Sequence, residues 1–250
     1  MSLKDLFTAL ADVLDGPESI EGQAKQAILN ADYSTQMIFE PTELSQTFKI
    51  IMENTNAHAV CEIIRTTPLP WLPPQTSTDP IYVAHSLPKV HVELLGPDGL
   101  IKSNSVRLGL YGMLPNFEYG IRTHPAEEVF VMLAGAAYWR RGSAPYKVLD
   151  PGERSFHPSM MPHANKTVEA PFLSAYVWHG DISTLNYKYE GIPADWVKID
   201  PAPSPGYAFS GPEWLREVNG ANQWICNLRD QVVHVFKIAL SLPKIMPHLP

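Results

Sequence analysis

Cysteine is scarce. The 250 residues hold only Cys61 and Cys226, too few for a disulfide framework. They read as two thiols of a reducing compartment, with a single bridge between them left open. No stretch reaches the ~20 apolar residues that span a bilayer. The N-terminal MSLKDLFTALADVL lacks the charged-then-apolar layout of a secretory leader. There is no run of lysine or arginine and the net charge is −7, so the electrostatic footprint of a nucleic-acid binder is missing. No internal repeat is visible. These absences lead us to expect a soluble, cytoplasmic protein with neither a nucleic-acid nor a membrane partner.

What is present is core-forming material. Hydrophobic residues make up 45% of the chain, enough for a sizeable interior in one large domain or one domain with extensions. Leu3, Leu6, Phe7, Leu10 and Val13 recur at helical spacing, and Gly16-Pro17 stops the pattern. A second helix is expected over 18–31 and a third from Pro41 through Met52. Residues 1–65 therefore read as a helical region. The segment TTPLPWLPPQTSTDP, 66–80, is too rich in proline for a helix interior or a central strand. It reads as a linker or a loop laid across a barrel mouth.

From about 81 the texture changes to short β-rich runs: IYVAHSL, KVHVELLG, VRLGLYGML, EEVFVMLAG, AAYWRRG, YKVLDPG and APFLSAYVWHG. Turn signals such as Gly96-Pro-Asp-Gly99 and Asp150-Pro-Gly152 separate them. Short strands at this spacing predict an all-β sandwich or barrel over 66–185. Beyond that, 186–250 reads as an irregular or helical extension. Prolines 193, 201, 203, 205 and 212 break it, a helix start is expected near 211–213, and another helix over 227–241.

Chemistry concentrates in two stretches, His124-Pro-Ala-Glu-Glu128 leading to Gly135, and His157-Pro-Ser-Met-Met-Pro-His163. Strand alternation can point His124, Glu128 and Phe130 to the same side if the strand starts near 128. His163 lies about a hairpin further on, and antiparallel pairing can return it to them. Histidine and carboxylate at this density make His124, Glu128 and His163 candidate metal ligands. His157 is a candidate ligand or brace for one.

These motifs resemble the cupin superfamily. The end of its first motif matches His124, three residues, Glu128, six residues and Gly135, and Pro162-His163-Ala-Asn165 stands where the second belongs. The words VELLGPDG, RLGLYGMLPN, HPAEEVFVMLAGAAYW, FHPSMMPHANKT and VWHGDI are similar to bacterial dimethylsulfoniopropionate lyases of that superfamily, over about 68–183. The resemblance implies a mainly β fold, a cupin double-stranded β-helix (jelly-roll barrel) beside the N-terminal helices. It also implies a homodimer and a divalent transition metal, Zn, Fe or Mn. Two departures stand out: Arg122 replaces the first histidine of His-x-His, and Phe130 replaces a tyrosine thought to bind metal and act as base.

The resemblance implies β-elimination of a small sulfonium carboxylate. Tyr119 becomes the candidate base in place of the lost tyrosine. Arg122 is a candidate for the carboxylate, Tyr138, Trp139 and Trp178 for a sulfonium or quaternary ammonium group, and Trp71, in the proline-rich loop, for closing the mouth of the pocket. Two other classes stay open: a non-haem Fe(II) oxygenase using the two histidines and one carboxylate, and an inactive cupin that only binds a small molecule.

Overall fold

A computed structural model describes residues 1–192 and three later strands, Leu215–Glu217, Trp224–Leu228 and Gln231–Val235. The N-terminal helices form where the spacing predicts. In α1, Leu3–Val13, the Ser2 hydroxyl accepts from the Asp5 N–H while the Asp5 carboxylate accepts from the Ser2 N–H. Such a reciprocal cap contributes about 1 kcal/mol. Leu3, Leu6, Phe7, Leu10 and Val13 are all buried. Helix α2, Ser19–Leu29, buries Ile20, Ala24 and Ile28. Helix α3, Gln46–Met52, starts later than expected, because Thr42 is extended and its N–H donates to the Leu69 carbonyl. Helix α4 covers Val60–Thr66.

The run IYVAHSL is helix rather than strand. Its branched and aromatic residues argue for β structure, but Asp79 caps the N–H groups of Ile81 and Tyr82 and Pro80 occupies the first turn. These start signals outweigh propensity, and Pro80–Ser86 forms α5.

Eleven strands then wind between two sheets: β1 Lys89–Gly96, β2 Ile101–Lys102, β3 Val106–Met113, β4 Glu118–Thr123, β5 Glu127–Gly135, β6 Ala137–Arg141, β7 Lys147–Leu149, β8 Arg154–His157, β9 His163–Lys166, β10 Phe172–His179 and β11 Lys188–Gly191. One sheet has the order β2-β1-β3-β10-β5-β8 and the other β11-β4-β9-β6-β7. The antiparallel pairs nest: β6 with β7, β5 with β8, β4 with β9, and β3 with β10. A long hairpin folded across two facing sheets in this way is a jelly roll. Gly135 closes β5 at a φ of 69°, and a side chain there would meet the Pro171 carbonyl.

Alternation divides the core in two. Leu108, Leu110, Val129, Val131, Leu133, Leu173, Ala175 and Val177 face out of the first sheet and join one apolar cluster with the N-terminal helices. Tyr111, Phe130, Met132, Phe172, Tyr176 and Trp178 face inward and line the barrel. The helices are tied on by a buried Glu21 carboxylate, 2.8 Å from Arg154 of β8.

The chain divides into two compact units, Met1–Asp200 and Pro201–Pro250. In the second, β12 (Leu215–Glu217), β13 (Trp224–Leu228) and β14 (Gln231–Val235) form an antiparallel sheet. The helix expected over 227–241 is thus extended backbone at 227–228 and 231–235. The valines in Gln231-Val-Val-His-Val favour a pleated strand. The helix start expected at 211–213 and the irregular chain from 193 lie outside the described residues. Among the described residues no helix is long and apolar enough to cross a membrane.

Candidate metal centre and substrate cavity

Three strands bring the ligand candidates together. Glu128 begins the inward face of β5, His163 opens β9, and His124 sits at the corner between β4 and β5. All three are buried, and their ligand atoms lie within 4.8 Å of one another. Glu128 Oε2 is 3.3 Å from His124 Nε2 and 3.0 Å from His163 Nε2.

The other ring nitrogens fix the tautomers. His124 Nδ1 lies 3.0 Å from the Ala126 carbonyl and His163 Nδ1 2.8 Å from the Met161 carbonyl. A carbonyl oxygen only accepts, so each Nδ1 carries the proton and each Nε2 presents a lone pair. Burial, with Arg122 adding to it, keeps His163 neutral, well below its usual pKa. A carboxylate facing two nitrogen lone pairs is a donor set that a cation completes, and backbone carbonyls orienting ligand histidines are the usual outer shell of such a set. The residues therefore fit a divalent metal. Trp178 Nε1 donates to Glu128 Oε1 at 2.6 Å and stacks on His124 at 4.1 Å, which fixes both.

Beside the ligands a cavity of about 360 Å³ opens under the proline-rich segment. Pro70 and 72–76 form its rim, and Leu72 is pinned to His91 by two backbone hydrogen bonds. The inner wall carries Tyr111, Tyr119, Arg122, Phe130, Tyr176, Trp178 and Tyr187. Arg122 is buried, and neither its Nη1 nor its Nη2 has a hydrogen-bond partner. Its guanidinium sits 4.1 Å from the Tyr119 ring centre, and Lys89 Nζ, also buried and unpartnered, sits 3.1 Å from the same centre. The Tyr119 and Tyr187 hydroxyls share a short hydrogen bond. Burial pushes the Tyr119 phenol well above its usual 10, with Tyr187 adding to that and Arg122 opposing it.

The candidate site residues divide accordingly. Tyr119, Arg122, Glu128 and Trp178 border the cavity, with His124 and His163 beside Glu128. Tyr138 does not border it: β6 alternates, so Trp139 points inward and Tyr138 stacks loosely under Lys166 on the outside. Trp71 does not border it either. It is buried in the helical core, and Leu72 and Pro73 form the rim instead.

Several cavity residues escaped the motif reading. Tyr111, Tyr176 and Tyr187 come from strands or loops far apart in sequence. Their signal was only that inward strand positions in this chain are aromatic. Lys89, which packs on the Tyr119 ring without lining the cavity, had none, because a lysine opening a strand ordinarily reads as surface.

His91 and Tyr176 form a second wall pair, joined by a 2.7 Å hydrogen bond with rings stacked at 5.2 Å. Burial, then Arg107 and Lys89, push the His91 pKa down to about 4. The folded protein thus favours the neutral ring. That stability is present above about 6.5 and is lost as pH falls toward 4. Melting temperature should drop through this window, and His91→Gln should flatten the drop; an unchanged acid profile would refute the assignment.

A jelly roll of this topology with two histidines and a glutamate converging inside it has the cupin fold and a candidate metal centre. Residues 71–174 match the family model for dimethylsulfoniopropionate lyase. The chain is 37% identical over 91 residues to dimethylsulfoniopropionate lyase DddQ of Ruegeria pomeroyi, covering 36% of this chain and 45% of that protein. The match thus spans less than half the length of that relative. Among solved structures, a chain from the dimethylsulfoniopropionate lyases RdDddP and RnDddQII superimposes with a TM-score of 0.56 and 20% identity. It covers 75% of this chain and 96% of that one, and this likeness speaks for the fold. The chain therefore resembles the bacterial dimethylsulfoniopropionate lyases of the cupin superfamily.

Proposed function

We propose that this protein is a metal-dependent carbon–sulfur lyase that splits dimethylsulfoniopropionate, or a close sulfonium carboxylate, into dimethyl sulfide and acrylate. One observation carries the reading. A single cavity joins an unpartnered buried guanidinium and a metal-type ligand set to a wall of aromatic faces. Such a cavity suits a small zwitterion. The carboxylate would meet Arg122, whose fork accepts it bidentately. The sulfonium would lie against Tyr176, Trp178 and Tyr187, where a cation gains roughly 0.5–2 kcal/mol from each well-placed ring. The family model and the curated relative, both described as this lyase, support the same substrate class.

The reaction removes a proton from the carbon next to the carboxylate. That C–H electron pair becomes the new C=C bond, the C–S bond breaks, and sulfur leaves as neutral dimethyl sulfide. His124, Glu128 and His163 would hold a divalent metal, with Zn, Fe and Mn all suited to this donor set. When bound, it supplies Lewis-acid polarisation of the carboxylate, which acidifies the adjacent C–H. Tyr119 is our candidate for the base. Arg122, 4.1 Å from its ring centre, opposes in part the burial that disfavours a phenolate. Tyr187 shares the phenolic proton and fixes the hydroxyl. Phe130 cannot take part: its ring packs 5.6 Å from Tyr111 and 4.4 Å from Trp139 and carries no ionisable group. The homodimer also belongs to this proposal, on the strength of the resemblance alone.

The test is headspace detection of dimethyl sulfide from metal-replete protein given dimethylsulfoniopropionate. Release is expected, and Tyr119→Phe should lower it about 100-fold or more, in the range of positioned general-base catalysis, with metal content unchanged. No release with Zn, Mn or Fe(II) would overturn the lyase. Release undiminished in Tyr119→Phe would overturn the base. Oxygen consumption with Fe(II) and a small carboxylic acid would favour the oxygenase instead.

A further inference from the structure

We propose that His157 is a fourth protein ligand of the metal centre, filling a coordination position for which Arg122 and Phe130 supply no donor. It rests on the metal reading of the site and is independent of the substrate. His157 ends β8, and the β5–β8 register sets it directly across from Glu128. Its side chain is fully buried. Nδ1 lies 3.4 Å from Glu128 Oε2, the same oxygen that His124 and His163 approach. It makes no hydrogen bond there, and no other partner satisfies it.

An unsatisfied nitrogen in a dry interior is costly. A bound cation removes that cost. The far side of the ring is arranged for it: Nε2 lies 2.8 Å from the Ser155 hydroxyl. With Ser155 accepting the Nε2 proton, Nδ1 is left with its lone pair toward Glu128, as carbonyls leave Nε2 of His124 and His163. The His157 and His163 rings run nearly parallel, 4.2 Å apart. Phe130 leaves this approach open, since it offers no oxygen of its own. The centre is then three imidazoles and one carboxylate. That set also leaves fewer open positions than the two-histidine, one-carboxylate triad of an oxygenase.

X-ray absorption on the full-length protein loaded with Zn counts imidazole ligands without reference to activity. Three are expected in the native protein and two in His157→Ala. Zn affinity by chelator competition should fall about 100-fold in His157→Ala. Added imidazole should recover most of the loss in His157→Gly. A native spectrum with two imidazoles overturns the proposal even if the variants fail to fold, and leaves the metal reading intact. Failure to bind Zn, Mn or Fe(II) at all overturns both. Ser155→Ala, which leaves the ring in place, should weaken Zn binding about 10-fold, the range seen for partners that orient a ligand.

Discussion

Replacing Arg122 by methionine is expected to stabilise the fold while removing most of the function. The guanidinium is buried, two of its nitrogens have no hydrogen-bond partner, and the buried Lys89 amine lies over the same tyrosine ring. An uncompensated charge in the interior costs several kcal/mol, and an apolar side chain of similar length removes that cost. Part of the gain is offset by the lost contact with the Tyr119 ring, worth about 1 kcal/mol. Urea unfolding should therefore show a net gain of about 2 kcal/mol. The same change leaves the substrate carboxylate without its fork. Truncating one partner of a buried charge pair costs roughly 2–5 kcal/mol, so kcat/KM should fall between about 30-fold and several thousand-fold. Arg122→Lys should recover little, because an ammonium cannot reproduce two parallel hydrogen bonds. A variant that is less stable than the parent would mean that Arg122 is a structural strut and not a binding group.

Glu128→Gln is expected to abolish metal binding without unfolding the barrel. The amide oxygen can still accept from Trp178 Nε1, so the 2.6 Å contact that fixes the indole survives. What is lost is the negative charge at the oxygen that His124 and His163 face at 3.3 and 3.0 Å. Outer partners of metal ligands already cost 10- to 100-fold in affinity, so loss of the charged ligand should exceed ~100-fold. The native protein should melt later as Zn is added, by up to about 4 kcal/mol at a thousand times its Kd. The variant should show no such rise, and its dimethyl sulfide release should fall to background. A metal-dependent shift that persists in Glu128→Gln would move the metal away from this carboxylate.

The barrel, and the meeting of His124, Glu128 and His163 inside it, were legible because local signals coincide there. Short alternating runs are punctuated by Gly96-Pro-Asp-Gly99 and Asp150-Pro-Gly152, and His124, Glu128 and His163 fall at the entrances of β5 and β9. What was illegible depends on long-range pairing. Tyr187 reaches Tyr119 from a loop after β10, and Lys89 reaches it from β1. Neither contact has a sequence spacing that could announce it. Residue type alone misled at Tyr138 and Trp71, where an aromatic ring was credited with a place in the cavity. The pleat sends Tyr138 outward, and the helical core claims Trp71. At 80–86 the composition argued for a strand, and a capping aspartate with a first-turn proline decided for a helix.

The nested pairing also fixes when the metal centre comes into being. Each pair of strands encloses the one within it, from β6·β7 outward to β3·β10, which joins residues as distant as Val106 and His179. Inner pairs close short loops and outer pairs close long ones, so the outer closures are the slow ones. His124 and Glu128 straddle one corner, but His163 joins them only once β9 lies against β4. An ion arriving before that closure lacks His163 and is held less tightly than in the finished barrel. Metal bound here would act as a latch on the finished barrel rather than as a seed for it, lengthening the lifetime of the folded state while leaving the rate of its formation nearly untouched.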